Sequence, residues 1–411
     1  MAQQNSRTDG ERQGEGRPAP SLACEARPLR ILIVAPSFDI LGGQAVQAAR
    51  LLARLREDSS LQLGFLPINP RLPGVLRKLQ AIKYVRTVVT SILYCGLLLA
   101  RVYKYDVIHI FSASYFSFVL APTPAILIAK LCGRKILLNY HSGEAEDHLT
   151  RWRRSAIRTI RLVDEVAVPS DYLVRVFARF GLHTRAIFNI IEPEKFRFLL
   201  RQPLRPVFLS NRSLEPLYGV DRVLRAFAII QRRFADARLT VAGNGSERRA
   251  LEQLASELSL RNTEFIGQVD QERVAELYGA SDIFLNGSEI DNQPLSILEA
   301  FASGLPVVTT DAGGIPDMVT NGETGFVVTR GDYQAMADCA MRLLENQELA
   351  CKVAQQARAE CRKYSWEEVR QQWLDLYRGL ARIRASASET GKEIEPGRDA
   401  IRSEQEIAGR S

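Results

Sequence analysis

The sequence is short of the residues that build metal and redox sites. Its 411 residues hold only four histidines and six cysteines. The cysteines (Cys24, Cys95, Cys132, Cys339, Cys351, Cys361) form no Cys-x-x-Cys pair. His109, His141, His148 and His183 lack the close spacing to carboxylates that a zinc enzyme uses. No metal and no other cofactor is therefore expected, and unpaired thiols of this kind suit a reducing, cytoplasmic compartment. Aromatics make up 8% of the chain and show no aromatic-basic RNA-binding pattern, so nucleic acid is not an expected partner. Low-complexity and collagen-like bias are also missing.

Long apolar runs are scarce as well. The first 28 residues contain none, so no secretory signal is expected there. Residues 1–28 and 386–411 are polar and read as tails. Between Arg86 and Arg101 lie 14 uncharged residues, fewer than the roughly 20 of a spanning helix. Acid is absent from residues 71–105, which carry seven basic residues: Arg71, Arg77, Lys78, Lys83, Arg86, Arg101 and Lys104. The plain reading is a buried helix with a solvated basic flank. The other reading is peripheral contact with an anionic membrane surface through residues 71–105.

What is present is enough for two α/β domains. Short apolar runs alternate with amphipathic helical stretches, the mark of parallel sheets covered by helices. The strand series begins at Ile31–Ala35 and continues through 106–111, 136–139 and 166–168. A helix from about Gln44 to Arg56 would turn Ala45, Ala49, Leu52 and Leu55 inward. Ser170 suits a cap for the helix ending near Gly181. The pattern restarts after Pro203–Pro206 with strands at 207–209, 239–242, 265–266, 283–285, 307–308 and 326–328. The expected domains are 29–202 and 203–365, followed by a helix over 366–385 that crosses back to the first domain. Ser365 and Glu368 are spaced as a capping box at its start. The net charge of +7 favours anionic partners.

The densest chemistry runs from Asp291 to Pro316, DNQPLSILEAFASGLPVVTTDAGGIP. Pro294 suits the first position of a helix and Gly304 the position just past it, with Leu295, Leu298 and Ala302 facing inward. The helix N-terminus would point at Asp291-Asn292-Gln293, where free N–H groups and the helix dipole favour a phosphate. Glu299, about one turn in, could accept hydrogen bonds from a ribose diol.

This passage resembles the retaining glycosyltransferases of family 4, group 1 glycosyl transferases of GT-B architecture. Their pattern is Glu-x7-Glu before Ala-x-Ala-x-Gly-x-Pro-Val, against Asp291, Glu299 and EAFASGLPVV here. The resemblance covers roughly residues 30–380 and takes in Gly42-Gly43, VAGNGSERRALEQLASELSL, FIGQV, DAGGIPDMV and YSWEEVRQQWLDLY. It implies two Rossmann-like domains facing across a cleft. It also implies transfer, without metal, of a sugar from a nucleotide-diphosphate donor, UDP- or GDP-linked, to a glycan or lipid-linked acceptor. By that resemblance Glu299 would hold the donor ribose, Asp291 the donor sugar, Arg212 the phosphate and His141 the transferred sugar. Gly42, Gly43, Tyr218, Gly243, Asn292, Gln293, Leu295 and Ser296 would complete the donor site.

Three positions depart from the family pattern. Tyr218 stands where the family has Lys, Asp291 is one methylene shorter than Glu, and Asn189-Ile190-Ile191-Glu192 replaces Asn-Gly-Val-Asp. Arg222 and Arg225 are close enough in sequence to restore the missing charge. Two alternatives remain: a degenerate, non-catalytic sugar-nucleotide-binding or interaction protein, and an epimerase or phosphorylase on the same fold.

Overall fold

The computed structural model describes residues 27–390 except 40, 41, 73, 75–79 and 81. Most of both expected tails lies outside the described residues. The first domain runs β1 (Leu29–Ala35), α1 (Gly43–Leu55), β2 (Leu61–Pro67), α2 (Lys83–Arg101), β3 (Val107–Ser112), α3 (Tyr115–Leu120), α4 (Pro122–Leu131). It continues with β4 (Lys135–Tyr140), α5 (Ala145–Arg151), α6 (Arg153–Ile160), β5 (Glu165–Val168), α7 (Asp171–Arg179) and β6 (Arg185–Ala186). The second domain runs β7 (Val207–Asn211), α8 (Val220–Arg233), β8 (Arg238–Ala242), α9 (Arg248–Glu257), β9 (Thr263–Gly267), α10 (Gln271–Ala280), β10 (Ile283–Asn286) and α11 (Leu295–Ser303). Then follow β11 (Val307–Thr310), β12 (Phe326–Val328), α12 (Tyr333–Glu345), α13 (Gln347–Glu360) and α14 (Trp366–Thr390).

Each domain holds a six-stranded sheet, ordered β2-β1-β3-β4-β5-β6 and β12-β11-β10-β7-β8-β9. Every strand pair is parallel. The central strands are buried on both faces, which is why they read as continuous apolar runs. In each sheet the order reverses beside the first strand, between β1 and β3 and between β7 and β10. Such switch points open a crevice at the carboxyl ends of the strands, where α/β proteins bind ligands.

Helix α14 lies across the first domain, as expected. Trp366, Val369, Trp373, Leu374, Tyr377 and Leu380 join the core formed by Ile31, Ile33, Leu51 and Phe111. Burying one such side chain is worth about 1.5–3 kcal/mol relative to leaving it in water, so the helix is firmly held. It runs on to Thr390, past the expected end at 385. Ser365 and Glu368 do not form a capping box; the first turn is closed by the Val369 N–H donating to the Ser365 backbone oxygen at 3.2 Å. Ser170 does cap α7, accepting from the Leu173 N–H at 3.2 Å.

Two strands, β2 and β6, escape the sequence pattern. Gly64 interrupts β2, and a Cβ there would lie 2.1 Å from the Tyr105 hydroxyl, so glycine is required by a neighbour outside the strand. The inward face of α1 also differs from the expected stripe. It buries Ala48 and Leu51 rather than Ala49, together with the polar Gln47 and Arg50. Both polar side chains bond to the segment linking the domains. Gln47 donates to the Ile190 carbonyl at 2.8 Å and accepts from the Ile190 N–H at 2.8 Å, and Arg50 donates to the same carbonyl at 3.2 Å.

Helix α2 is not the buried helix of the plain reading. Only 17% of the most apolar stretch between Tyr84 and Lys104 is buried, although the helix is long and apolar enough to cross a membrane. Tyr94 and Leu98 anchor it to the first core. Most of its other apolar side chains face outward.

Candidate functional site

A cleft of about 610 Å³ opens between the domains, at the carboxyl ends of both sheets. Residues after β1, β3 and β4 line one wall: Gly42 and Gly43, Ser112 and Ala113, and His141 to Glu144. The opposite wall comes from the loops after β7, β8, β9 and β10, including Arg212, Gly243, Asp270 and the run from Ile290 to Ser296. Both switch points thus face the same space. Every residue expected at the site lines this cleft.

Helix α11 sits behind the second wall. Its N-cap is Pro294 and its C-cap is Gly304 at φ 75°, one position from the sequence reading at the start. The expected inward stripe is too narrow: every residue from Ser296 to Ser303 is buried, because α13 and the segment around Tyr364 cover the far side. The N-terminal end, with Leu295 and Ser296, opens onto the cleft.

Arg212 follows β7 directly and is held from three sides. Its guanidinium pairs with Asp291, donates to Ser296 Oγ at 3.1 Å and stacks on the Tyr218 ring at 4.2 Å. The tyrosine at the family's lysine position therefore positions the arginine by cation–π contact and adds no charge of its own. Burial raises the Tyr218 phenol above its usual range, with Arg212 opposing. Asp291 also accepts from Ser288 Oγ at 3.1 Å and from the Asn292 N–H at 2.9 Å. Arg222, the candidate for replacing the charge, is instead paired with Asp221 and Glu289, and neither it nor Arg225 lines the cleft.

Glu299 is 7% exposed. Burial raises its carboxyl above the usual range, opposed first by Arg50 and then by a hydrogen bond with Tyr278. Arg50 reaches it from α1 across the domain boundary, 3.5 Å away, and lies 3.5 Å from Glu192 as well. The sequence reading missed Arg50. A single arginine inside an amphipathic helix carries no mark of burial until its carboxylate partners are placed around it.

His141, just past β4, stacks on Phe111 with ring centroids 5.1 Å apart. Burial pushes its pKa down to about 3, so the ring is neutral at ordinary pH. Its Nε2 has no hydrogen-bond partner among the described residues. Gly42 caps α1, and a Cβ at Gly42 or Gly43 would meet no atom of the described residues within 4 Å. The chain's own packing does not demand glycine there; the space is cleft.

Three expected site residues have structural work of their own. A Cβ at Gly243 would lie 1.9 Å from the Arg212 carbonyl oxygen, so this glycine lets β8 approach the arginine's backbone. Asn292 accepts from Ser170 Oγ, and Gln293 Oε1 accepts from the Asn189 N–H at 2.6 Å. These amide side chains tie the donor-side loop to the first domain and its linker. Gly313, at φ 53°, would place a Cβ 1.9 Å from the Asp291 carbonyl, so DAGGIP supports the same loop from behind.

Residues 192–360 match the family model of the glycosyl transferases group 1. The chain is 29% identical over 286 residues to the sulfoquinovosyl transferase SQD2 of Arabidopsis thaliana, covering 64% of this chain and 54% of that protein. It is 34% identical over 175 residues to a D-inositol 3-phosphate glycosyltransferase of Corynebacterium urealyticum, 41% of each chain. The chain thus spans about half the length of these curated relatives. Among solved structures, Anabaena Alr3699/HepE in complex with UDP-glucose superposes with a TM-score of 0.69 at 19% identity, covering 87% of this chain and 100% of that one. The second domain is thus similar to the glycosyl transferases group 1, and the two domains facing across the cleft make the fold GT-B.

Proposed function

We propose that the protein is a retaining glycosyltransferase of family 4 that needs no metal. It moves a sugar from a nucleotide-diphosphate donor to a glycan or lipid-linked acceptor. The observation that carries this reading is the convergence, in one interdomain cleft, of Arg212, Asp291, Glu299 and the α11 N-terminus with Gly42, Gly43 and His141. The names of the relatives, and the UDP-glucose bound to the structural neighbour, support a sugar nucleotide; a UDP-linked donor is the first to test, with GDP next.

In this reading the diphosphate lies against the α11 N-terminus and Arg212, whose charges stabilise it as it leaves. The bond from the anomeric carbon to the diphosphate breaks on the same face where the acceptor oxygen bonds. The acceptor's proton passes to the departing diphosphate oxygen. Because Arg212 is paired with Asp291, the diphosphate must compete with that carboxylate, which is then released toward the sugar. His141, neutral and at the cleft wall, stands where the sugar would lie. The protein works in the cytoplasm on this reading, where sugar nucleotides are made.

The test is a thermal-shift titration with UDP, GDP, ADP and their sugars on wild type and Glu299→Ala. Ligand at about 100 times its dissociation constant stabilises by about 2.7 kcal/mol, several degrees in this size range. Stabilisation by one nucleotide, lost in the variant, supports the reading, and product anomeric configuration by NMR then checks retention. No shift with any nucleotide sinks it. Donor binding without transfer or hydrolysis across a broad acceptor panel would favour the non-catalytic alternative.

A further inference from the structure

The first domain carries an apolar face that no part of the described chain covers. On α2, Tyr84, Val88, Ile92, Leu99 and, just beyond it, Tyr103 are 79, 59, 68, 60 and 53% exposed. They recur four and seven residues apart, which puts them on one side of the helix. Helices α3 and α4 extend the same surface with Phe116 at 72% and Leu131 at 87% exposure. The Tyr94 hydroxyl donates to the Ala121 carbonyl at 2.9 Å, fastening α2 to the α3–α4 junction. Apolar side chains in this number on neighbouring helices mark an interaction surface rather than ordinary scatter.

Charge identifies the occupant. From Arg71 to Gly143 the chain has ten Lys or Arg and a single acid, Asp106. That acid, just before β3, is engaged by Arg30 at 3.1 Å. Exposed Arg86, Lys104 and Lys130 stand among the exposed apolar residues. An apolar face on a segment this rich in cations and poor in acid fits a bilayer containing anionic lipid, whose interface takes up apolar side chains while its headgroups attract the cations. A protein partner would have to supply a large apolar patch ringed with acid.

We infer that α2, α3 and α4 form a platform that docks this protein, in the plane of the interface, on an anionic membrane. The helix does not span. Tyr94 and Leu98 fix α2 to the first core, between β2 and β3, both of which flank β1. A crossing would draw that sheet into the hydrocarbon, exposing polar helices and loops. The platform also reaches the cleft: Ala113 lines it, and α3 starts two residues later at Tyr115. A docked protein therefore presents the first-domain wall of its cleft near the lipid surface, which selects a lipid-linked acceptor. That last step rests on the transferase reading; the docking does not.

The test is co-sedimentation of the full chain with phosphatidylcholine vesicles, with and without phosphatidylglycerol, at low and high salt. Wild type should pellet only with anionic vesicles and be released by salt. Arg86→Gln and Lys104→Gln should each weaken binding about fivefold, the effect of one cation at such a surface. Ile92→Glu with Phe116→Glu should abolish it while leaving the melting temperature unchanged. Failure of wild type to pellet at low salt overturns the proposal, as does unchanged pelleting of the glutamate variant. A lipid-free dimer that Ile92→Glu converts to monomer also overturns it, giving the face to a second copy. The UDP thermal shift separates the two readings. Docking without the shift removes only the transferase, and the shift without docking removes only the platform.

Discussion

At the scale of single residues, Arg212 is the group on which the proposed chemistry turns. Replacing it with Ala should lower turnover by on the order of 10²–10³, comparable to losing an oxyanion donor, as measured by initial rates with the donor found by titration. Asp291→Asn should split binding from chemistry. With the competing carboxylate charge gone, Arg212 is freed for the diphosphate, so nucleoside diphosphate binds more tightly while transfer slows. Equal or weaker diphosphate affinity would show that the Arg212–Asp291 pair does not gate the site. Sequence pattern brought Arg212, Asp291 and Glu299 to notice, since their spacing belongs to a known motif. It could not show what Tyr218 does in place of lysine. The stacked ring 4.2 Å from the guanidinium is a contact between two loops, visible only when both are placed.

At the scale of elements, the cleft wall depends on one loop being propped from behind. Gly313→Ala would press a Cβ against the Asp291 carbonyl from a left-handed backbone position. The expected result is a loss of about 1–3 kcal/mol, read as a lowered melting temperature, with weakened donor binding because Asp291 and Asn292 move together. Helix α2 gives the opposite lesson. Its apolar residues suggested burial, since apolar helices usually go inside. The fold instead packs a narrow stripe around Tyr94 and Leu98 and leaves Tyr84, Val88, Ile92 and Leu99 outward. Periodicity shows that a helix has a face; it does not show how many faces find partners.

At the scale of the whole molecule, the domains are joined by buried polar contacts as well as by apolar ones. Arg50 ties α1 to Glu192 and Glu299, with its side chain 6% exposed. Arg50→Ala leaves buried Glu299 without its paired cation, while Glu192 keeps Arg54 and Lys195, and stranding one buried carboxylate in this way typically costs about 3–5 kcal/mol. A melting temperature within a degree of wild type would show that the link is unimportant. Acid should loosen the structure through its buried histidines. Burial pushes the pKa of His109 down to about 3 and of His148 to about 4, against roughly 6.5 when unfolded. The unfolded chain therefore binds more protons across that interval. Stability is fully present above about pH 6.5 and falls as pH drops toward 4. His109 Nδ1 bonds the Tyr377 hydroxyl at 2.8 Å, so α14 should be among the first elements to loosen, seen as faster amide exchange at pH 5 than at pH 7.

The sequence alone determined the class of fold, most of its strands and the motif around α11. Those signals are local: apolar runs, turn glycines and a helix start written in consecutive residues. It also showed the basic, acid-free stretch, because charge is read residue by residue. Only the tertiary structure decided which helix faces stay exposed, that Arg50 reaches Glu299, and that Asn292 and Gln293 bind the first domain. These depend on residues more than a hundred positions apart meeting across a cleft, and no local pattern encodes the distance between them.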